Sequence, residues 1–268
     1  LEPLTRYKIQ AIATYNIAGL SSAAEAQLIV DTAPVPSNPV LDISHPSSSV
    51  EDSVTLSVTN PVSTDVQYCF YFYEVILQRN IILRPCSAIH VIRLYLPAGY
   101  KHLDRIQVGV IARNSGGDYS ASEVTTTVSR NGTDLFALCS HRIENLNLFE
   151  PFPTLIVVAR HIYLIQEQSS ALLDSIFSKI ANVQIVQDDY RVWLDFLDLV
   201  TLAFKPQIST ETMSTFLNML LQISAVIEEE SVPIFTRIVA NIPKAYLLRA
   251  VGALSKVIVK YKLPNERP

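Results

Sequence analysis

The spacing of apolar residues changes about halfway along the chain. In the first half apolar residues alternate with others, as in Val54, Leu56 and Val58 and again over residues 124–128. A period of two is typical of β-strands that bury one face. In the second half the spacing becomes that of an α-helical stripe, as in Trp193, Phe196, Leu197 and Val200. The pattern predicts a β half followed by an α half.

Turn-forming residues divide the chain further. Six of the seven glycines precede residue 133, which favours tight turns between strands in the first half and helices in the second. A proline-rich hinge occupies residues 32–39. We therefore expect three parts: the C-terminal part of one β-domain at residues 1–31, a complete antiparallel β-sandwich at residues 34–130, and an α-helical domain at residues 135–263.

Composition and charge describe a folded, mildly acidic protein. Of the 268 residues, 49% are apolar and 17% are charged, which is too apolar for a disordered chain. The net charge is −4 and Lys and Arg form no cluster, so the sequence offers no electrostatic basis for binding nucleic acid.

The three cysteines, Cys69, Cys86 and Cys139, have neither the paired spacing of a zinc site nor the density of a disulfide scaffold. Cys69 falls in a predicted strand and Cys86 follows a predicted turn. The two either form a disulfide between neighbouring strands or remain buried thiols. Cys139 either stays free or has a partner outside this sequence.

One glycosylation sequon, Asn131-Gly132-Thr133, lies between the predicted β-sandwich and the predicted helices. A loop between domains is accessible to a glycosyltransferase. We therefore expect Asn131 to carry a glycan if the protein is secreted.

The sequence contains no recognisable catalytic constellation. Its five histidines are dispersed, and no nucleophile, phosphate-binding or dinucleotide-binding motif occurs. We therefore expect a protein without enzymatic activity, metal or cofactor. In the aromatic run of residues 68–73, the side chains of Tyr68, Tyr71 and Tyr73 form either a ligand-binding face or part of a core strand with an aromatic ladder.

The opening residues resemble the end of a fibronectin type III domain. The resemblance rests on Pro3, Thr5 and Tyr7, on the alternating residues that follow, and on the segment Asn-Ile-Ala-Gly-Leu-Ser at residues 16–21. It implies that Tyr7 is a tyrosine-corner residue, whose hydroxyl bonds back to the preceding loop.

The next segments resemble the REJ (receptor for egg jelly) module of polycystin-family ectodomains. The matching segments are the proline-rich entry at residues 34–39, the strand-like residues 40–44 and 54–58, the aromatic run 68–73, Leu-Pro-Ala-Gly at residues 96–99, and residues 108–122. In that family the β-modules precede a helical region that leads to a GAIN-like domain, and residues 205–212 look similar to it. The sequence departs from the family pattern in lacking a Trp-Asp pair before the aromatic run.

This resemblance implies a large membrane-anchored protein on the extracellular side of the plasma or ciliary membrane. Its implied partners are other domains of the same chain, and a polycystin-type cation channel or extracellular glycoproteins. The implied role is adhesion, ligand sensing or channel assembly on a cilium or flagellum. Two alternatives remain: a secreted matrix component that binds glycans or glycoproteins, and a cytoplasmic scaffold.

Overall fold

The computed structural model describes residues 6–17, 20–31, 36–61, 66–99, 104–130, 132–165, 169–204 and 208–261. Within them ten strands precede seven α-helices, so the predicted order of a β half and an α half is confirmed. The strands are β1 (Arg6–Ile17), β2 (Leu20–Asp31), β3 (Leu41–Ile43), β4 (Ser47–Ser49), β5 (Ser53–Val58), β6 (Val66–Glu74), β7 (Arg79–Ile82), β8 (Val91–Tyr95), β9 (Arg105–Asn114) and β10 (Tyr119–Ser129). The helices are α1 (Leu135–Glu144), α2 (Phe152–Ile165), α3 (Ser169–Ile180), α4 (Tyr190–Thr201), α5 (Thr210–Val226), α6 (Val232–Ala240) and α7 (Leu247–Tyr261).

The first two strands form a separate antiparallel hairpin, in which Ile9 lies opposite Leu28 and Ala11 opposite Ala26. The apolar residues of this alternating pattern therefore share one face of the hairpin. Ile9 and Leu28 are 50% and 60% exposed, so that face is largely uncovered.

Strands β3 to β10 form two sheets, which we call the two-sheet region. One sheet has five strands in the order β4-β10-β9-β6-β7, and the other has three in the order β3-β5-β8. All pairs are antiparallel except the parallel pair β4–β10. Both sheets contribute to one apolar core, to which Val54, Leu56, Phe70, Phe72 and Val110 belong.

The seven helices form a helical region with α4 near its centre. Helix α4 packs against α2, α5 and α6, and it also contacts β7 of the five-stranded sheet. Its Trp193 ring meets Phe152 edge-on at 5.1 Å and Phe196 at 6.0 Å, both favourable aromatic geometries. Since α2 also contacts β8, the helical region packs against both sheets.

Gly109 illustrates how tightly the five-stranded sheet is packed. It lies in β9 opposite Tyr71 of β6, and a Cβ atom at this position would come within 2.3 Å of the Tyr71 ring. The ring cannot easily move away, because the Tyr71 hydroxyl donates a hydrogen bond to Glu123 Oε1 at 2.6 Å. The glycine is therefore required by the ring that lies over it.

We predict opposite effects for two glycine-to-alanine substitutions. Gly109→Ala should lower the free energy of unfolding by about 1–3 kcal/mol, because the new methyl group overlaps the Tyr71 ring. Gly252→Ala, in α7 where an added Cβ atom would meet nothing within 4 Å, should raise it by about 0.5–1 kcal/mol. Urea unfolding of both variants measures this, and equal effects would contradict the packing at Gly109.

Candidate functional site at the interface of sheets and helices

Arg79 is the central side chain where the two-sheet region meets the helical region. It begins β7, at the edge of the five-stranded sheet that faces α4, and its side chain is only 15% exposed. Its Nη1 lies 2.5 Å from Asp195 Oδ1, and its Nη2 lies 2.6 Å from Asp198 Oδ2. One guanidinium therefore engages two carboxylates of α4 at once.

Both carboxylates are fully buried, and each has a second partner. Asp195 Oδ2 accepts the backbone N–H of Ile82 at 2.8 Å, and Asp198 Oδ1 accepts Nε of Arg237 in α6 at 3.1 Å. Asp195 and Asp198 are three residues apart, so they project from the same side of α4. The group thus connects β7, α4 and α6 through charged hydrogen bonds.

The charges within this group perturb one another. Burial raises the pKa of Asp195 above its usual range, although Arg79 and Arg191 act to lower it. Burial acts to lower the pKa of Arg79, but Asp195 and Asp198 outweigh it and hold this pKa above its ordinary value. The arginine therefore stays charged, and its N–H groups donate hydrogen bonds to both carboxylates.

The same interface continues toward the surface through Arg191. Its Nη1 donates to Ser231 Oγ at 2.7 Å, and the Tyr190 hydroxyl lies 3.2 Å from the same oxygen. Ser231 belongs to a short 3₁₀ helix at Glu229–Ser231, immediately before α6. This outer part ties the start of α4 to the start of α6.

A second buried polar group joins α2 to the sheets. His161 is completely buried, and its Nε2 accepts the backbone N–H of Ala98 at 3.0 Å. The neighbouring Arg160 forms an ion pair with Glu74 at the end of β6, and both side chains are buried. Burial, with the nearby positive charges of Arg142 and Arg160, lowers the pKa of His161 to about 3, so this imidazole is neutral at physiological pH.

Arg142 of α1 makes a third connection. It donates from Nη2 to the carbonyl of Val50, and its guanidinium carbon lies 4.0 Å from the centre of the Tyr95 ring. Burial lowers the pKa of Arg142 from its ordinary value. Together the three groups place their charges between the sheets and the helices, where they fix the relative position of the two regions.

The structure joins Cys69 of β6 and Cys86 by a disulfide, with Cα atoms 4.4 Å apart. The backbones also pair next to the bond, since Tyr68 and Ser87 exchange hydrogen bonds. Cys139 is buried as a free thiol, and burial raises its pKa to about 12. A thiol with this pKa is almost entirely protonated at neutral pH and therefore a poor nucleophile.

Two alternatives apply to the aromatic run 68–73, a ligand-binding face and part of a core strand, and the exposure of its tyrosines bears on the choice. Tyr68 and Tyr71 are 2% and 1% exposed, and Tyr73 is half-buried. Strand β6 lies between β9 and β7, so both of its edges are paired, and residues on both of its faces are buried. Burial and the hydrogen bond to Glu123 raise the pKa of Tyr71 above its ordinary value. The burial of Tyr68 and Tyr71 favours the second alternative, a core strand, whereas Tyr73 is only partly buried.

Two further predictions fall outside what the structure describes. They concern the side chain of Tyr7, whose backbone belongs to β1, and the residue Asn131. Beside the latter, Gly132 is exposed and the hydroxyl of Thr133 donates to Glu51 Oε1 at 2.8 Å.

Over the described ranges, no group of three or more His, Cys, Asp and Glu side chains is arranged to hold a metal ion. Within the same residues, none of the helices has both the length and the apolarity of a transmembrane span.

Sequence reasoning missed the group around Arg79. The available signal was the pair Asp195 and Asp198, placed among Trp193, Phe196 and Leu197 on a helix with a strong apolar stripe. Acidic residues in such a stripe must find buried partners. The partner Arg79 is more than a hundred residues away in the sequence, and no local pattern identifies it.

Comparison with protein-family models and with curated protein sequences finds no match to this chain.

We predict that Asp198→Asn lowers the free energy of unfolding by about 3–5 kcal/mol, because it leaves the guanidinium groups of Arg79 and Arg237 without their shared carboxylate. The control is Glu150→Gln, which removes the 58% exposed partner of Arg84 and should cost under about 1 kcal/mol. Denaturant unfolding measures both, and a small loss for Asp198→Asn would contradict a stabilising role for the group.

We predict that His161 makes the fold sensitive to acid. Its folded-state pKa of about 3 lies below the ordinary value of 6.5, so below pH 6.5 the unfolded chain binds a proton that the folded chain does not. The free energy of unfolding is therefore not reduced by His161 above pH 6.5 and falls progressively toward pH 3. The unfolding equilibrium constant rises by about tenfold for each pH unit over that range.

The matched variant for this experiment is His161→Gln, whose amide oxygen can still accept the N–H of Ala98 but does not titrate. Its unfolding free energy should depend less on pH between 6.5 and 3 than that of the parent. Parallel pH profiles for the two proteins would show that His161 is not the group responsible.

Proposed function

We propose that the chain is a non-catalytic extracellular part of a large polycystin/REJ-type protein at the plasma or ciliary membrane, where it serves adhesion, ligand sensing or assembly with a cation channel. The observation that carries the proposal is the disulfide Cys69–Cys86 in the two-sheet region. Disulfides persist in oxidising compartments and are rare in the cytosol. This favours the extracellular protein over the cytoplasmic scaffold.

The arrangement of the strands supports the finer fold proposal. We assign the two-sheet region to an immunoglobulin-like β-sandwich of REJ type, because two mainly antiparallel sheets share one apolar core. We assign the hairpin β1–β2 to the end of a fibronectin-like domain. A two-stranded hairpin with an uncovered apolar face needs further strands to bury that face.

The interface between the sheets and the helices supports a mechanical role. Arg79 holds β7 against α4, Arg160 and Glu74 join α2 to β6, and Arg142 joins α1 to Val50. Force applied to the two-sheet region would therefore reach the helices through several buried charged contacts. In the proposed protein, the helical region is the part that precedes a GAIN-like domain and transmits such a force to it.

We predict that the protein isolated from its natural source, without reduction, contains the Cys69–Cys86 disulfide, a free Cys139 and a glycan on Asn131. Non-reducing peptide mapping and intact mass before and after glycosidase treatment measure all three. Surface biotinylation of intact cells provides the independent test of location. Three free thiols, an unmodified Asn131 and exclusion from the biotinylated fraction would overturn the proposal in favour of a cytoplasmic scaffold.

A further inference from the structure

Strand β8 forms an unpaired edge of the three-stranded sheet. The backbone N–H of Val58 donates to the carbonyl of His90 at 2.8 Å, and the register pairs Ser57 with Val91. In an antiparallel pair, residues alternately direct their N–H and C=O groups toward the partner and away from it. The residues whose backbone groups point away from β5 are therefore Val91, Arg93 and Tyr95.

The other outer edges of the two-sheet region are shorter or covered. Strands β3 and β4 are only three residues long. Strand β7 lies against α4, and the carboxylate of Asp195 accepts its Ile82 N–H. The described residues show no comparable cover for the five-residue edge of β8. Exposed edges of this kind readily accept another extended chain.

A groove of about 580 Å³ runs along this edge. One wall is formed by the consecutive residues Val91–Tyr95, and the other by Asn147, Glu150, Pro153 and Thr154, from the loop after α1 and the start of α2. Neighbouring residues of a strand point to opposite faces, so a groove lined by five in succession follows the edge of the strand rather than one face. Its position suits an added strand.

The charge of the groove indicates which kind of extended chain it would bind. Arg93 is exposed, and it is oriented by a hydrogen bond from Nε to Ser53 Oγ at 2.9 Å. No carboxylate of the described residues forms a salt bridge with it. The second arginine of the groove, Arg84, is already neutralised by Glu150 at 3.2 Å. Arg93 therefore leaves an uncompensated positive charge in the middle of the edge.

Apolar side chains flank this charge on the same outward face. Val91 is 46% exposed and Tyr95 is 37% exposed, and each is two residues from Arg93 along the strand. The Tyr95 ring is held in place by the guanidinium of Arg142, 4.0 Å from its centre. The outward face of β8 thus presents an apolar, a cationic and a second apolar position in sequence.

We propose that this groove binds an acidic peptide segment in extended conformation, which adds a strand to β8 and places a carboxylate opposite Arg93 between two apolar side chains. Backbone hydrogen bonds to Val91, Arg93 and Tyr95 would supply sequence-independent affinity. The cross-strand side chains would supply specificity. The inference rests on the geometry of β8 and stands independently of the proposed function.

The probe is a fluorescein-labelled heptapeptide with the sequence Thr-Ile-Thr-Glu-Thr-Ile-Thr, and its counterpart carries Lys in place of Glu. Fluorescence anisotropy with the 268-residue chain should show the Glu peptide binding at least about tenfold more tightly, by a margin that shrinks as salt screens the charge. Equal binding of the two peptides, or binding of neither, would overturn the proposal.

Charge reversal provides the specific test. Arg93→Glu should abolish the preference for the Glu peptide and favour the Lys peptide. The control Arg113→Glu reverses another exposed strand arginine, in β9, and should leave both affinities unchanged. Loss of Glu-peptide binding in both variants would show that net charge rather than the groove is responsible.

A backbone substitution tests strand addition itself. Val91→Pro removes an N–H that points away from β5, which an edge strand tolerates, whereas Val91→Thr keeps the N–H and a similar shape. The proline variant should lose about tenfold or more in affinity relative to the threonine variant, with similar melting temperatures for both. Equal affinities would overturn strand addition. Sedimentation showing a dimer that Arg93→Glu dissolves, without peptide binding, would instead assign the edge to a second copy of the chain.

Discussion

The relative position of sheets and helices depends on the pairing of Arg79 with Asp195 and Asp198. Removing three charges from water is costly, and the cost is offset only when the geometry of the pairing is good and each remaining acceptor is occupied. The geometry is good, because Arg79 reaches both carboxylates at hydrogen-bond distance. The remaining acceptors are also occupied, because Asp195 accepts the Ile82 N–H and Asp198 accepts the Nε–H of Arg237. The arrangement also fixes the register of β7. A shift by one residue would turn Arg79 to the opposite face of the sheet and leave two carboxylates buried without it.

The other buried polar groups between the sheets and the helices are also paired, at separate positions along the interface. Glu74 and Arg160 neutralise each other, Arg142 finds the Val50 carbonyl, and His161 stays neutral and accepts the Ala98 N–H. Apolar surfaces alone would allow helices to slide over a sheet with little change in buried area. Directional contacts at several separate positions leave one arrangement in which all of them are satisfied. The two regions are thereby held as one unit.

The sequence predicted the order of the elements because periodicity is a local property. The alternation in Val54, Leu56 and Val58 identified β5, and the stripe of Trp193 and Phe196 identified α4. The burial of a strand, by contrast, depends on segments that are distant in the sequence. Tyr71 lies in a strand by its own sequence, but its burial depends on Gly109 and Glu123 in other strands. The partners of Asp195 and the unpaired edge of β8 could not be predicted from local sequence either, since both depend on which distant segments become neighbours.

The edge strands β7 and β8 differ in how their outward backbone groups are covered. This difference supports a binding role for the edge of β8. Backbone N–H and C=O groups at an edge must bond to side chains, to water or to another chain. At β7 the protein supplies its own acceptor, because Asp195 occupies the Ile82 N–H and α4 covers the strand. At β8 the helix α2 approaches but leaves a groove along Val91–Tyr95. At β7 a side chain of α4 covers the edge, and a side chain of α2 in the same position at β8 would close the groove. The open groove, with Arg93 at its centre, instead keeps the backbone groups of β8 accessible to an incoming strand.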